Sequence, residues 1–143
     1  MTPGDALTAC AALVEKGDPD RFAATMAAPP AARPMLWPLY AYNLELAKAA
    51  WVSPEPMVCL MRLQWWTDTV TAMGQGAPRK AHEVAGPLHD LVAAAGLPVG
   101  LLAGMAEARD WDTATDPFPD AAALTAYLEA TAGNLMWAAA LAL

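Results

Sequence analysis

Alanine and leucine dominate this chain, and no stretch of it alternates apolar and polar residues with period two. β-branched residues, which favour strands, are sparse outside scattered Val and Thr. Apolar side chains instead recur three and four residues apart, which is the spacing of helices that pack against a core. The pattern predicts an all-α fold, and the length of 143 residues is that of one ordinary domain.

Proline and glycine divide the chain into predicted helices. These cover residues 5–16, 18–27, 32–49, 54–74, 82–95, 98–111 and 120 onward. Ser53 and Asp120 are predicted N-caps, since their side chains can accept from free helix N–H groups, and Gly96 is a predicted C-cap. Pro38 falls inside the third helix and is expected to bend its axis.

Composition excludes several classes of function. The net charge of −7 makes a nucleic-acid partner unexpected, because such partners need clustered Lys and Arg, and it does not favour an anionic membrane surface. Cys10 and Cys59 suggest buried thiols in a reducing compartment. We expect no signal peptide, since the N-terminus lacks a basic region before an apolar run, and no membrane span, since the longest apolar run covers only residues 135–143.

Two adjacent tryptophans mark the fourth helix. Arg62 and Trp66 lie four residues apart, so a guanidinium–indole stack is feasible. Neighbouring helix positions cannot both point fully inward, so the Trp65–Trp66 pair is interpreted either as core packing or as part of a ligand or partner groove.

Acidic residues cluster in the stretch EARDWD, at 107–112. Glu107 and Asp110 share a helix face, and paired carboxylates can hold Mg²⁺ together with substrate phosphates. The simpler interpretation is a solvated face with Arg109 between the acids. His82 and His89 also share a face, but no further ligand at a usual spacing accompanies them.

Three stretches in this order resemble the squalene/phytoene synthase family: DRFAATMAAPPAARPMLWPLYAYN, MRLQWWTDTV and WDTATDPFPDAAALTAYLEATAGNLMW. The resemblance covers about residues 18–141. It implies an isoprenoid-synthase-type helical bundle. Active members of the family condense two prenyl diphosphates head to head, using two Asp-rich Mg²⁺ motifs on facing helices.

The resemblance also suggests binding residues. Arg33 matches the Arg that opens the first motif helix, and Tyr40 matches the aromatic of its L-Y pair. Tyr127, Ala132 and Gly133 match a Y-x-x-x-x-A-G pattern whose side chains line the prenyl pocket in active relatives, and Asp112 matches an Asp before that last helix. Together with the local pattern at the tryptophans, the candidate substrate-binding residues are Arg33, Tyr40, Arg62, Trp66, Asp112, Tyr127, Ala132 and Gly133.

The chain departs from the family where the chemistry would occur. The D-D-x-x-D motif falls on Ala47, Lys48, Ala49, Ala50 and Trp51, and the diphosphate-contacting Arg falls on Leu44. Alanine and lysine offer no oxygen ligands, so we predict no metal site, no cofactor and no catalytic residue. The family has a small residue three positions after the glycine of the A-G pair, and Met136 at that position should narrow the prenyl pocket.

These observations favour a divergent, non-catalytic domain, expected to be the N-terminal portion of the bundle, truncated at 143 before the second Asp-rich motif. The sequence NLELA, followed by PEPM, is similar to sequences of a divergent branch of the family that includes mitochondrial complex I assembly factors. We expect it to bind an isoprenoid, a prenyl diphosphate or a protein partner, or to self-associate, in the cytoplasm or peripherally at the inner face of a membrane.

Two alternatives stay open. One is a prenyltransferase that makes squalene or phytoene-type products from farnesyl or geranylgeranyl diphosphate with Mg²⁺, its carboxylates supplied from elsewhere, such as a second chain. The other is a helical interaction module.

Overall fold

The computed structural model describes residues 2–143, and within them the chain is helical with no β-strand. The α-helices are α1 (Pro3–Gly17), α2 (Pro19–Ala27), α3 (Arg33–Lys48), α4 (Pro56–Gly74), α5 (Ala85–Ala95), α6 (Val99–Ala108), α7 (Ala121–Leu128) and α8 (Asn134–Ala142). Short 3₁₀ turns cover Pro30–Ala32, Ala49–Trp51 and Arg109–Thr113. The all-α prediction is confirmed.

Helix α3 is the central element of the bundle. Nine of its sixteen residues are buried, and it packs against α1, α5 and α8. The helix continues through Pro38. The hydroxyl of Tyr42 donates to the Leu102 carbonyl at 2.6 Å, which ties α3 to α6. The Tyr42 ring also meets Trp66 edge to face, with the ring centroids 5.3 Å apart, so the core joins α3, α4 and α6.

Three predicted helix starts were wrong, and the first is α1, which begins at Pro3 rather than at Asp5. The predicted cap Ser53 accepts from the Glu55 N–H instead, at 3.1 Å, so it forms a tight turn and α4 begins only at Pro56. The fifth helix begins at Ala85 rather than His82, because the His82 imidazole caps it: Nδ1 accepts from the N–H groups of Val84 and Ala85, each at 3.1 Å.

The last helix is not a regular α-helix. A π-helical turn, Glu129–Gly133, joins α7 to α8, and the Asn134 N–H donates to the carbonyl of Glu129 five residues back. The Thr131 hydroxyl is buried in this turn and donates to the Tyr127 carbonyl at 2.7 Å. The turn lies directly on the predicted Ala132–Gly133 motif.

Within residues 2–143, no helix combines the length and the apolar character needed to cross a bilayer.

Candidate functional site

Two of the predicted site residues lie in direct contact. The Tyr127 hydroxyl donates to Oδ1 of Asp112 at 2.5 Å. Arg109 completes the cluster: its Nη1 donates to Oδ2 of Asp112 at 3.1 Å and to the Tyr127 oxygen at 3.0 Å. The 3₁₀ turn after α6 is thereby joined to α7, with all three side chains partly buried.

The cluster keeps Tyr127 neutral. Burial raises the pKa of the Tyr127 hydroxyl, and the hydrogen bond to Asp112 raises that pKa further, although the Arg109 charge lowers it. The phenol is therefore set as a hydrogen-bond donor and not as a base. Burial and the nearby Glu107 also raise the pKa of Asp110, whose exposed side chain lies outside the cluster.

Two cavities flank the Arg109–Asp112–Tyr127 cluster. The first, of about 520 Å³, lies between the end of α3 and the 3₁₀ turn and is lined by Ala50, Trp51, Val52, Ser53, Pro54, Pro56, Cys59, Asp112, Thr113, Ala114 and Thr115. The second, of about 310 Å³, is lined by Ala108, Trp111, Phe118, Pro119, Ala123, Ala126 and Tyr127. Asp112 lines the first cavity, whose walls are mixed in polarity, and Tyr127 lines the second, which is largely apolar.

The apolar cavity has an aromatic wall. Trp111 and Phe118 stack with their centroids 4.7 Å apart, and the Phe118 ring lies 5.3 Å from that of Tyr127. Aromatic walls of this kind suit an apolar ligand or an apolar side chain of a partner.

Ala132 and Gly133 lie in the π-helical turn between α7 and α8. Both are exposed, beside Met136 and Trp137, which are 71% and 62% exposed. The side-chain amide of Asn134 donates to the Leu101 carbonyl at 3.1 Å, and this bond fixes the π-helical turn against α6. The motif thus contributes to an open apolar surface.

Arg33 and Tyr40 contact α2 and not the Arg109–Asp112–Tyr127 cluster. Nη2 of Arg33 donates to the Met26 carbonyl at 3.0 Å. The guanidinium of Arg21 lies 5.9 Å from the centre of the Tyr40 ring. These two predicted residues therefore hold α2 against α3.

Arg62 and Trp66 do not form the stack that their spacing made feasible. Trp66 is only 1% exposed and packs in the core, whereas Arg62 is exposed and makes no cation–π contact with it among residues 2–143. The outward-facing indole is Trp65, which is 40% exposed and has the Lys80 ammonium 5.9 Å from its ring centre.

The residues at the expected magnesium motif do not fit a magnesium ion. Lys48 is exposed and pairs with Glu45 at 3.9 Å, Ala49 is fully buried, and the indole of Trp51 is 85% exposed. Across residues 2–143, no three His, Cys, Asp or Glu side chains lie close enough together to hold a metal ion. Hard divalent cations need several oxygen ligands, which this end of α3 does not supply.

Arg109 is the site residue that sequence reasoning did not select. It was interpreted only as a cation separating two acids. Its distance of three residues from Asp112 is a spacing at which opposite charges meet on a helix, and that signal was present in the sequence.

The sequence model of the squalene/phytoene synthase family matches residues 14–142. No curated protein and no solved structure matches the chain significantly. The family match spans nearly the whole sequence and is consistent with the all-α bundle. The chain therefore belongs to the squalene/phytoene synthase family.

Proposed function

We propose that this chain is a non-catalytic member of its family, which acts by binding an isoprenoid chain or a protein partner through its apolar surface. Such a role corresponds to that of an assembly factor. The proposal does not involve magnesium or transfer of a prenyl group.

The observation that carries the proposal is the chemistry at the end of α3. An aspartate motif there would present several carboxylates to a diphosphate-bound cation. This chain presents an ammonium group at Lys48, bound to Glu45, and an exposed indole at Trp51. A positive charge at that position repels a divalent cation, and an indole cannot replace an oxygen ligand.

Binding is supported by the surface that the bundle leaves open. Five large apolar side chains of α7 and α8 are more than 40% exposed: Leu124, Leu128, Met136, Trp137 and Leu141. We call these residues the α7–α8 face. The aromatic cavity at Trp111, Phe118 and Tyr127 lies at its α7 end. Exposed apolar surfaces of this kind mark sites of ligand or partner binding.

Labelled farnesyl and geranylgeranyl diphosphate, incubated with the purified protein and Mg²⁺, test the absence of catalysis. We expect no head-to-head product, with an active family member run beside it as the positive control. A product that depends on magnesium would show instead that the chain is a prenyltransferase.

Binding is tested separately by thermal unfolding in the presence of farnesol, which has the isoprenoid chain without the diphosphate. A ligand that binds only the folded state must raise the unfolding temperature. We expect such a rise in the native protein and a smaller one in Trp137→Glu. If farnesol has no effect, the isoprenoid role is rejected and a protein partner is the form of the proposal that survives.

A further inference from the structure

A third pocket lies away from the Arg109–Asp112–Tyr127 cluster, between the end of α4, the following loop and α5. Its volume is about 230 Å³, and it is lined by Thr69, Ala72, Met73, Ala77, Pro78, Arg79, Lys80 and His89. None of these lining residues is acidic. Since the chain has 15 acidic and only 8 basic residues, two adjacent cations and a histidine around one pocket run against its overall charge.

Arg79 is held in a fixed orientation. Its Nε donates to Oδ1 of Asp90 at 2.9 Å. Its guanidinium lies flat on Gly86, where a Cβ would come within 2.8 Å of Cζ, Nη1 and Nη2. Neither Nη1 nor Nη2 donates a hydrogen bond to any group within residues 2–143. Two parallel N–H groups of an oriented guanidinium match two oxygens of a phosphate.

The remaining polar groups lie around the same space. Lys80 follows directly in the chain and also lines the pocket, and its ammonium group lies 5.9 Å from the centre of the Trp65 ring, which is outside the pocket. Thr69 is 4% exposed and brings a hydroxyl group to the pocket wall, and His89 is half-buried on the α5 side. Ala72, Met73 and Ala77 add apolar lining. The pocket is smaller than the roughly 300 Å³ typical of sites for drug-sized ligands, so it suits one anionic group.

We propose that this pocket binds a terminal phosphate group. Nη1 and Nη2 of Arg79 contact two of its oxygens, and Lys80 supplies the second charge. The Thr69 hydroxyl and the His89 ring provide further donors. Inorganic phosphate and the headgroup of a lipid such as phosphatidic acid both present this chemistry, because each has free anionic phosphate oxygens. This site goes beyond the proposed function and does not depend on it.

Titration of the full chain with inorganic phosphate, followed by amide NMR shifts, tests the site. We expect saturable shifts clustered at residues 77–80 and 86–90. Arg79→Gln should weaken binding about tenfold, the usual effect of losing a charge-assisted hydrogen bond. Arg79→Gln/Asp90→Asn preserves the net charge and should weaken binding equally. Gly86→Ala keeps the charge but displaces the guanidinium, and should weaken it as well.

Lys16→Gln is the matched control, since it removes one exposed positive charge from α1, which does not line the pocket. It should leave phosphate binding unchanged, and thermal unfolding should show that every variant is folded. Equal binding by native protein and Arg79→Gln, or an equal loss in Lys16→Gln, would overturn the proposal. Co-sedimentation with phosphatidylcholine vesicles, with and without phosphatidic acid, distinguishes the lipid headgroup from free phosphate.

Discussion

Tyr127 and Asp112 lie fifteen residues apart and share a hydrogen bond of 2.5 Å, with Arg109 in contact with both. The bond links the 3₁₀ turn that follows α6 to the C-terminal end of α7. The two cavities of the site meet at this contact, so their shape depends on it.

Replacing Tyr127 by Phe should lower the free energy of unfolding by about 1–2 kcal/mol, since a hydrogen bond to a partly exposed carboxylate is lost. Urea unfolding followed by circular dichroism measures the change. Tyr40→Phe is the matched control, because the Tyr40 hydroxyl donates no hydrogen bond within residues 2–143. An equal effect of both substitutions would show that the contact does not stabilise the fold.

Two helical glycines should respond oppositely to alanine. A Cβ at Gly74 would lie 2.7 Å from Cγ2 of Val99, a β-branched side chain that cannot rotate freely away. Gly74→Ala should therefore destabilise the protein by about 1–3 kcal/mol. A Cβ at Gly100 meets nothing within 4 Å, so Gly100→Ala should stabilise by about 0.5–1 kcal/mol through helix propensity. Thermal unfolding of the two variants gives both values, and a loss at Gly100 would contradict the open space described there.

The buried thiol of Cys10 should make stability depend on alkaline pH. Burial, and then the charges of Glu83 and Glu45, raise the pKa of this thiol from 9.0 to about 12. The folded state therefore favours the neutral thiol, and this contribution is complete below pH 9 and is lost as the pH rises towards 12. Cys10→Ala should flatten the decline of unfolding free energy across that window. Parallel curves for native and variant protein would rule out this role.

The α7–α8 face should promote self-association. Trp137→Glu places a charge where an exposed indole now lies, so it should shift the protein towards monomer in sedimentation velocity runs over a range of concentrations. Ala140→Glu adds the same charge at an exposed position of α8 that carries no large apolar side chain. It should have a smaller effect. A native protein that stays monomeric at high concentration would speak against association through this face.

Two of the three predicted helix caps, Asp120 and Gly96, were readable from the sequence. Asp120 accepts from the Ala123 N–H at 2.8 Å, and Gly96 adopts the left-handed conformation, with φ of 62°. Both depend only on a residue and its immediate neighbours, so propensity rules predict them. The start of α5 was missed because histidine is an unusual cap, and nothing in the local pattern places its Nδ1 over two N–H groups.

The site was only partly predictable, for a physical reason. Asp112 and Tyr127 were selected through the family resemblance, but their contact depends on how the loop of residues 114–120 returns to the bundle. Arg109 reaches Tyr127 across eighteen residues of sequence, a separation at which periodicity carries no information. Arg62 and Trp66 lie four residues apart, a spacing that allows contact on a helix. Trp66 is nevertheless buried in the core, whereas Arg62 is exposed to solvent.

The wide turn at Glu129–Gly133 sets the orientation of everything after it. Each α-helical residue advances the chain by about 100° around the axis. Because the π-helical turn holds one residue more than an α-helical turn, with the Asn134 N–H bonded to the Glu129 carbonyl, deleting one residue there would restore the ordinary spacing and keep Leu135, Ala138 and Ala139 in the interior. A single codon deletion here would thus remove the wide turn and preserve both the inward side of α8 and nearly all of the helical content.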